Sequence, residues 1–210
     1  MESVNPSRTE LLVKRAQIAL ARQGRDLLKE KRSALWQELM KTADIALHSA
    51  AELEQIGAAA RRALAWAEAR DGREAVQSAA FAARRDIAID VTAANVLGMR
   101  VPIIKPVRLI RSSVQRGYGL PGSSSRVDEA ATWFEEQLEQ VIELAARELR
   151  LRRLAEEIRK TTIRVNALEV IVLPRLEAQL RSISGVLEER EREDMFRLKR
   201  IKSRRLQRAS

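Results

Sequence analysis

Between Leu39 and Ala67 small and apolar residues recur in alternating steps of four and three: Leu39, Ala43, Ala46, Ala50, Leu53, Gly57, Ala60, Leu64 and Ala67. No proline interrupts the chain between Pro6 and Pro102. A 3.5-residue repeat held this long is the spacing of a left-handed coiled coil. Upstream, Ala21, Gly24, Leu28 and Leu35 continue the seam, with an interruption near Lys31 and Arg32. Gly24 and Gly57 put no side chain on it, which predicts close approach of a partner helix at both. Ser7 and Glu10 have the spacing of a capping box ahead of Leu11 and Leu12, so the helix is predicted to start at Ser7. A helix from Ser7 to about Arg70 spans roughly 95 Å at 1.5 Å per residue, a length that few compact folds accommodate.

Asp71-Gly72 reads as a helix stop, followed by a shorter helix over Arg73–Arg84. The period then changes to two. Ile87, Ile89 and Val91 alternate with polar or small residues, and Leu97, Met99, Val101 and Ile103 do so again. This predicts a β-hairpin over about 86–103, turning at Ala93-Ala94-Asn95, with both apolar sets on one face. A buried helix is the alternative for Ile87–Val91. Pro102 lacks a backbone donor and suits an edge strand or a strand end. Lys105–Ser125 is a connector whose stretch from Arg116 is rich in turn formers and reads as a flexible loop. It has no Gly-Lys-Ser/Thr, so it does not match a phosphate-binding loop. A second long helix starts near Ser125 and runs to about Arg205, with Pro174 predicting a kink.

Two long amphipathic helices joined by a compact middle can hide their stripes against each other. The fold class is therefore all-α-dominated: a long antiparallel two-helix coiled coil with a short helix and a small β-hairpin at mid-chain. The segments are an N-terminal long helix (1–70), a middle with the hairpin and a Gly/Ser loop (71–127) and a C-terminal long helix with a basic tip (128–210), one elongated domain overall. The candidate seam comprises Leu28, Leu35, Leu39, Leu53 and Leu64 on the first helix, facing Leu138, Val141, Ile158, Val165, Leu180, Ile183 and Leu187 on the second.

Composition agrees and excludes several chemistries. Aromatics are 3% of the 210 residues, too few for an ordinary core, while charged residues are 32%, the profile of long helices. There is no cysteine and only one histidine, His48, so a disulfide framework, a thiol nucleophile, a zinc site or a His-based triad is not expected. No metal or cofactor site is read from the sequence. No run is apolar enough to span a membrane, and the first residues lack the pattern of a secretory signal, so a soluble, intracellular protein is expected. The net charge of +10 favours an acidic partner: nucleic acid, anionic lipid or an acidic protein sleeve.

Several segments in order along nearly the whole chain resemble one family. They are Pro6–Lys14 and Gly24–Arg32 near the start, Asn95–Pro102 in the middle, and Arg164–Glu169, Pro174–Glu177 and Leu187–Lys199 near the end. Asn166-Ala-Leu-Glu169, then Pro174, then Glu191-Arg-Glu193 is the most specific combination. The chain resembles the D subunits of V/A-type rotary ATPases, which form the central rotor shaft; the connector from Lys105 to Val127 does not match well. The resemblance implies a non-catalytic shaft on the axis of an ATP-hydrolysing or ATP-synthesising complex, carrying torque that couples ATP chemistry to proton or sodium transport. Implied partners at the coiled-coil end are the A and B subunits of the catalytic head. At the other end they are the rotor's F subunit and the ring-capping adaptor C (d in some systems). Location would be cytoplasmic, on the membrane only indirectly, with no nucleic acid expected.

From Met195 onward there is no acidic residue, and Arg197, Lys199, Arg200, Lys202, Arg204 and Arg205 form a candidate head contact; a solvated helix C-terminus explains the same cations. The candidate hairpin interface is Ile87, Ile89, Val91, Leu97, Met99 and Val101, with self-packing as the alternative. Trp66 and Trp133 are candidate contacts for the F subunit, or ordinary packing residues. Trp36 lies beside Leu35, and His48 reads as a plain surface residue. Glu188, Glu189, Glu191 and Glu193 alternate with Arg190 and Arg192 as solvated helix pairs. Competing functions are a basic coiled-coil scaffold or homodimer and a nucleic-acid-binding coiled coil. Neither a helix-turn-helix, a zinc motif nor an aromatic RNA-binding signature supports the latter.

Overall fold

A computed structural model describes residues 6–96, 98–105, 108–119 and 124–209, the side chains of 205–209 excepted. The first helix, α1 (Arg8–Asp71), starts where its cap places it: the Glu10 amide donates to Ser7 Oγ at 3.1 Å and the Leu11 amide to the Ser7 carbonyl at 3.0 Å. It ends at Gly72, whose φ of 84° breaks the helix before α2 (Arg73–Ala82) begins. Two strands, β1 (Val91–Val96) and β2 (Met99–Ile104), form an antiparallel hairpin. A 3-10 turn at Ser113–Gln115 precedes α3 (Ser125–Ala167), a π-helical turn (Leu168–Val172) and α4 (Leu173–Ala209). The fold is thus dominated by long helices, with one small hairpin, and its long helix pairs fit a coiled coil.

The chain resolves into two compact units, Met1–Ala34 with Ile158–Ser210, and Leu35–Glu157. In the first unit the start of α1 runs antiparallel to α4: Arg8 pairs with Glu191 and Arg22 with Glu177, both at 2.7 Å, and Lys29 with Glu169 at 2.5 Å. Ile18 on α1 is buried, as are Ile158, Thr161, Val165, Leu173 and Ile183 opposite. Leu28, Leu180 and Leu187 are half-buried. The exposed ion pairs add little stability each, but they mark the register.

In the second unit the helix pair meets along small residues. Leu35 and Leu154 are fully buried, and Ala46, Ala60, Ala63 and Ala67 are buried between them and the far end. Leu39, Leu53 and Leu64 are half-buried. Alternate seam positions sit one residue earlier than the expected Ala43 and Ala50: Thr42 and Ser49 are buried instead, and Ala50 is exposed. Their hydroxyls donate four residues back, Thr42 to the Glu38 carbonyl at 2.8 Å and Ser49 to the Ile45 carbonyl at 3.0 Å, so they enter the seam without an unmet donor. Arg150 pairs with Glu38, and Arg147 donates to Ser49. On α3, Leu138 and Val141 are 39% and 40% exposed; they flank the contact, and Gln137 is the residue that faces Gly57.

Close approach holds at Gly57, where an added Cβ would meet the end of the Gln137 side chain at 3.0 Å, but not at Gly24, where no atom lies within 4 Å. Gly117 is different again: its φ is +84°, and a Cβ would lie 3.0 Å from the Ala82 carbonyl oxygen. Gly24→Ala is therefore expected to raise stability by about 1 kcal/mol through helix propensity alone. Gly117→Ala should lower it by about 1–3 kcal/mol, because both backbone conformation and space oppose the methyl group. Denaturant midpoints of the two variants against the parent measure both, and opposite signs are the expected result.

Candidate functional site

The middle of the chain has to be held in shape by something other than a thick core, since a two-stranded hairpin is marginal on its own. A small cluster of Ala63, Ala67, Val76, Ala79, Val127 and Ala130 joins the end of α1, α2 and the start of α3. Leu64, Tyr118 and Trp133 pack against it, so Trp133 belongs to the chain's own core, whereas Trp66 and Trp36 are exposed. Beside this cluster the connector is clamped onto α3 by charge. Arg116, only 2% exposed, donates to Asp128 Oδ1 at 3.1 Å, to the Asp128 carbonyl at 3.1 Å, to Thr132 Oγ1 at 2.9 Å and to Glu135 Oε2 at 2.9 Å. Tyr118 Oη donates to Asp128 Oδ1 at 2.6 Å. Arg111 gives Glu135 its backbone amide and its Nε, each at 2.9 Å, and reaches the Ala83 carbonyl at 3.1 Å. The amides of Leu109 and Ile110 both donate to Glu139 Oε1.

The acceptors Asp128, Thr132, Glu135 and Glu139 fall on one face of α3 at helical spacing, and their donors come from one connector stretch. The reading of Arg116 onward as a flexible loop is thereby corrected for the described residues. The signal was present as an arginine among turn formers and acidic residues spaced three to four apart after Ser125, but separation along the chain hid the pairing.

Electrostatics follows from the packing. Burial alone would push the Glu135 carboxyl up, but hydrogen bonds from Arg116 and from the amide and side chain of Arg111 outweigh it, and its pKa is lowered. Burial works against the Arg116 charge too, and its hydrogen bonds with Glu135 and Tyr118 prevail, raising its pKa. The Tyr118 hydroxyl is pushed up to about 12 by burial and by its bond to Asp128, so it stays a donor. A cavity of about 350 Å3 opens next to this network, lined mainly by Val76, Ala79, Val127, Ala130 and Phe134. The polar groups at its edge, Arg111, Tyr118 and Glu135, are committed to the network rather than aimed into the space.

The hairpin's register differs from the expected one. Val96 pairs with Met99 and Val91 with Ile104, so the chain reverses between Val96 and Met99, not at Ala93–Asn95. Gly98, with φ 81°, supplies the backbone conformation that Ala93, Ala94 and Asn95 would adopt less readily. Ile87 and Ile89 precede the paired strands. Because strand faces alternate, the shift separates the candidate interface residues: Met99 and Val101 are buried on one face, while Val91 lies on the other at 56% exposure. Ile87 is half-buried and Ile89 exposed; Leu97 lies outside the described residues. The Lys105 amide donates to the Asp90 carbonyl at 3.1 Å and its ammonium pairs with the Asp90 carboxylate at 2.5 Å, closing the ladder.

At the other candidate site, the end of α4, Arg197, Lys199, Arg200, Lys202 and Arg204 are all exposed. The Arg205 side chain lies outside the described residues. Sequence reasoning passed over the apolar side chains among them: Met195, Phe196, Leu198 and Ile201 are also exposed. The tip therefore offers cations and large apolar groups together. His48 is exposed on α1, its ring bonded to the Asp44 carbonyl at 2.8 Å, a contact that raises its pKa. Among the described residues no group of three or more His, Cys, Asp or Glu is placed to hold a metal, and no helix is long and apolar enough to cross a membrane.

Arg116→Ala takes one donor from each of Asp128 and Glu135, which keep Tyr118 and Arg111, and should cost about 1–3 kcal/mol, the cost of losing hydrogen bonds to charged groups. Arg116→Lys should recover little of it, since an ammonium cannot reproduce the fork. Urea unfolding measures both. The lowered pKa of Glu135 also sets a pH window. Its contribution is present above the unfolded carboxylate value of 4.5 and is lost as pH falls through the lower folded value. Stability measured against pH should fall below about pH 4.5 in the parent, and more shallowly in Glu135→Gln.

A family model for the D subunit of ATP synthase matches residues 10–203. The D subunit of the A-type ATP synthase of Thermococcus kodakarensis is 42% identical over 201 residues, covering 96% of this chain and 94% of that protein. That of Methanosarcina mazei is 39% identical over 203 residues, with 97% of each chain covered. The D subunit of the V-type ATP synthase of Thermus thermophilus is 42% identical over 207 residues, covering 97% of this chain and 90% of the relative. With the match running through both units, the hairpin and the Arg116 network that latches the connector onto α3, the chain belongs to the D-subunit family of A- and V-type ATP synthases.

Proposed function

We propose that this chain is the central-stalk rotor of its complex. It transmits torque between the catalytic head and the membrane ring and so couples ATP synthesis or hydrolysis to proton or sodium transport, without catalysing a step itself. The observation that carries the reading is the clasped pair of α1 and α4 in the first unit. Cross-helix ion pairs hold it in one register from Arg8–Glu191 to Lys29–Glu169, in a chain that matches the D-subunit family nearly end to end. A helix pair resists twist through its seam, and an outer face of exposed charge resists sticking to a surrounding sleeve. On this reading the α4 tip enters the head formed by the A and B subunits, and the hairpin and latch serve the F subunit and the ring-capping adaptor C.

Seam residues Leu28, Leu35, Leu39, Leu53, Leu64, Ile158, Val165, Leu180, Ile183 and Leu187 keep the pairs stiff; Arg197, Lys199, Arg200, Lys202, Arg204 and Arg205 meet the head. Of the hairpin set, Met99 and Val101 brace the hairpin on its covered face, and Val91 and Ile89 are free for a neighbour.

Co-expression with the A, B and F subunits tests the assignment. One copy of this chain should co-purify per head, in a one-to-one complex with the F subunit. Hydrolysis and pumping that continue unchanged without the chain would sink it. Reversing three tip charges, as Arg200→Glu, Lys202→Glu and Arg204→Glu, should cut ATP-driven ion uptake into vesicles by about tenfold, the scale of losing several charges at one interface.

A further inference from the structure

Along the α3–π–α4 side of the first unit, one stripe of buried and half-buried positions keeps steps of three and four with one interruption. Ile158, Thr161, Val165 and Leu168 are separated by three, four and three residues; Leu173, Leu176, Leu180, Ile183 and Leu187 by three, four, three and four. Between Leu168 and Leu173 the step is five; counted through the half-buried Val172 it is four and then four to Leu176, one residue more than a heptad either way. The seam holds one residue too many for an α-helix. In a continuous α-helix that surplus would turn everything after it by about 100° and carry Leu173 and Ile183 off the buried face. The π-helical turn sits on the five-residue step: the Leu173 amide donates to the Leu168 carbonyl, five residues back, and so encloses the surplus residue in one wide turn. The downstream face is thereby kept against α1.

Two features hold the turn at this place. Pro174 has no amide to donate and its ring would crowd the carbonyl of Val170 in an α-helix, so a wide turn loses least here. The Glu169 carboxylate is tied to α1 by Lys29 at 2.5 Å and approached by Arg25 at 4.0 Å, contacts led by the Lys29 hydrogen bond that lower its pKa. The residues that bulge outward, Val170 and Ile171, are 73% and 62% exposed and add little packing.

We infer that Leu168–Val172 is a joint: a register-absorbing turn, created by a one-residue surplus in the seam and pinned by Pro174 and Glu169, at which this helix pair yields first. It is a conformational device of the fold and does not depend on the rotor reading. Amide hydrogen exchange on the full chain tests it directly. In the parent, the amides of 170–173 should exchange at least tenfold faster than those of 159–166 and 176–183. Deleting Val170 should leave a folded chain with α-helical spacing through this stretch, broken only by the amide Pro174 lacks, slow that exchange at least tenfold and keep protection at 176–187. Pro174→Ala should leave the fast exchange in place, because the surplus residue remains. Uniform protection across the parent helix would overturn the joint. So would a Val170 deletion that fails to fold or loses protection at 176–187, since the surplus would then not be a surplus. If Pro174→Ala alone slowed the exchange, the proline and not the seam would be its cause.

Discussion

Two helices lying side by side bury one stripe each, and every other feature of this chain adapts to that limit. In the second unit the stripe is made largely of alanine, with Gly57 and the hydroxyls of Thr42 and Ser49. Small side chains bury little area individually, and at about 25 cal/mol per Å2 each contributes modestly. They gain by letting the helices approach closely and by repeating over many turns. The flanks then matter: long charged side chains lie across the seam and shield it, as Arg150 does toward Glu38 and Arg147 toward Ser49.

The middle of the chain cannot rely on such a stripe. Its small cluster covers the end of α1 and the start of α3, and beyond it the connector is fixed by hydrogen bonds in directed geometry. A buried arginine is weak evidence for stability, because taking its charge from water costs about as much as its pairing returns. Its value lies in selectivity. The guanidinium fork of Arg116 meets acceptors on three residues of α3, and few other paths for the connector satisfy them. Through Arg111, the same network ties α3 to the Ala83 carbonyl at the end of α2. A hairpin too small to be stable alone thus stands between two anchored segments.

What the sequence made legible tracks how local the cause is. The Ser7 cap, the break at Asp71-Gly72 and the starts of α2 and α3 depend on residues within a few positions and read directly. The hairpin was legible as a period of two, but its register was not: Ala93-Ala94-Asn95 resembles a turn by composition, and only the positive φ available at Gly98 shows why the chain reverses later. The seam in the second unit was displaced at alternate positions because hydropathy favours Ala43 and Ala50 over Thr42 and Ser49. The backbone carbonyls one turn back cancel that penalty. The Arg116 latch depends on pairings 12 to 19 residues apart along the chain, beyond any local pattern.

The π-helical turn is the instructive intermediate case. Its cause was written in the spacing, since Leu168 and Leu176 are eight apart where a heptad has seven, yet attention to Pro174 alone predicts only a kink. A proline explains where a helix is weakest, but not why the residues beyond it return to the same face. The ion pairs decide between the two accounts. Glu169 reaches Lys29 at the turn, and Glu177 and Glu191 reach Arg22 and Arg8 after it, in antiparallel order. A helix rotated by about 100° after residue 168 would point both later carboxylates away from α1. Register is therefore what this part of the molecule preserves, and a locally wider turn is the structural cost of preserving it. The wider turn keeps the two helices in step along the unit, and its surplus falls on the exposed Val170 and Ile171, where the seam loses no packing.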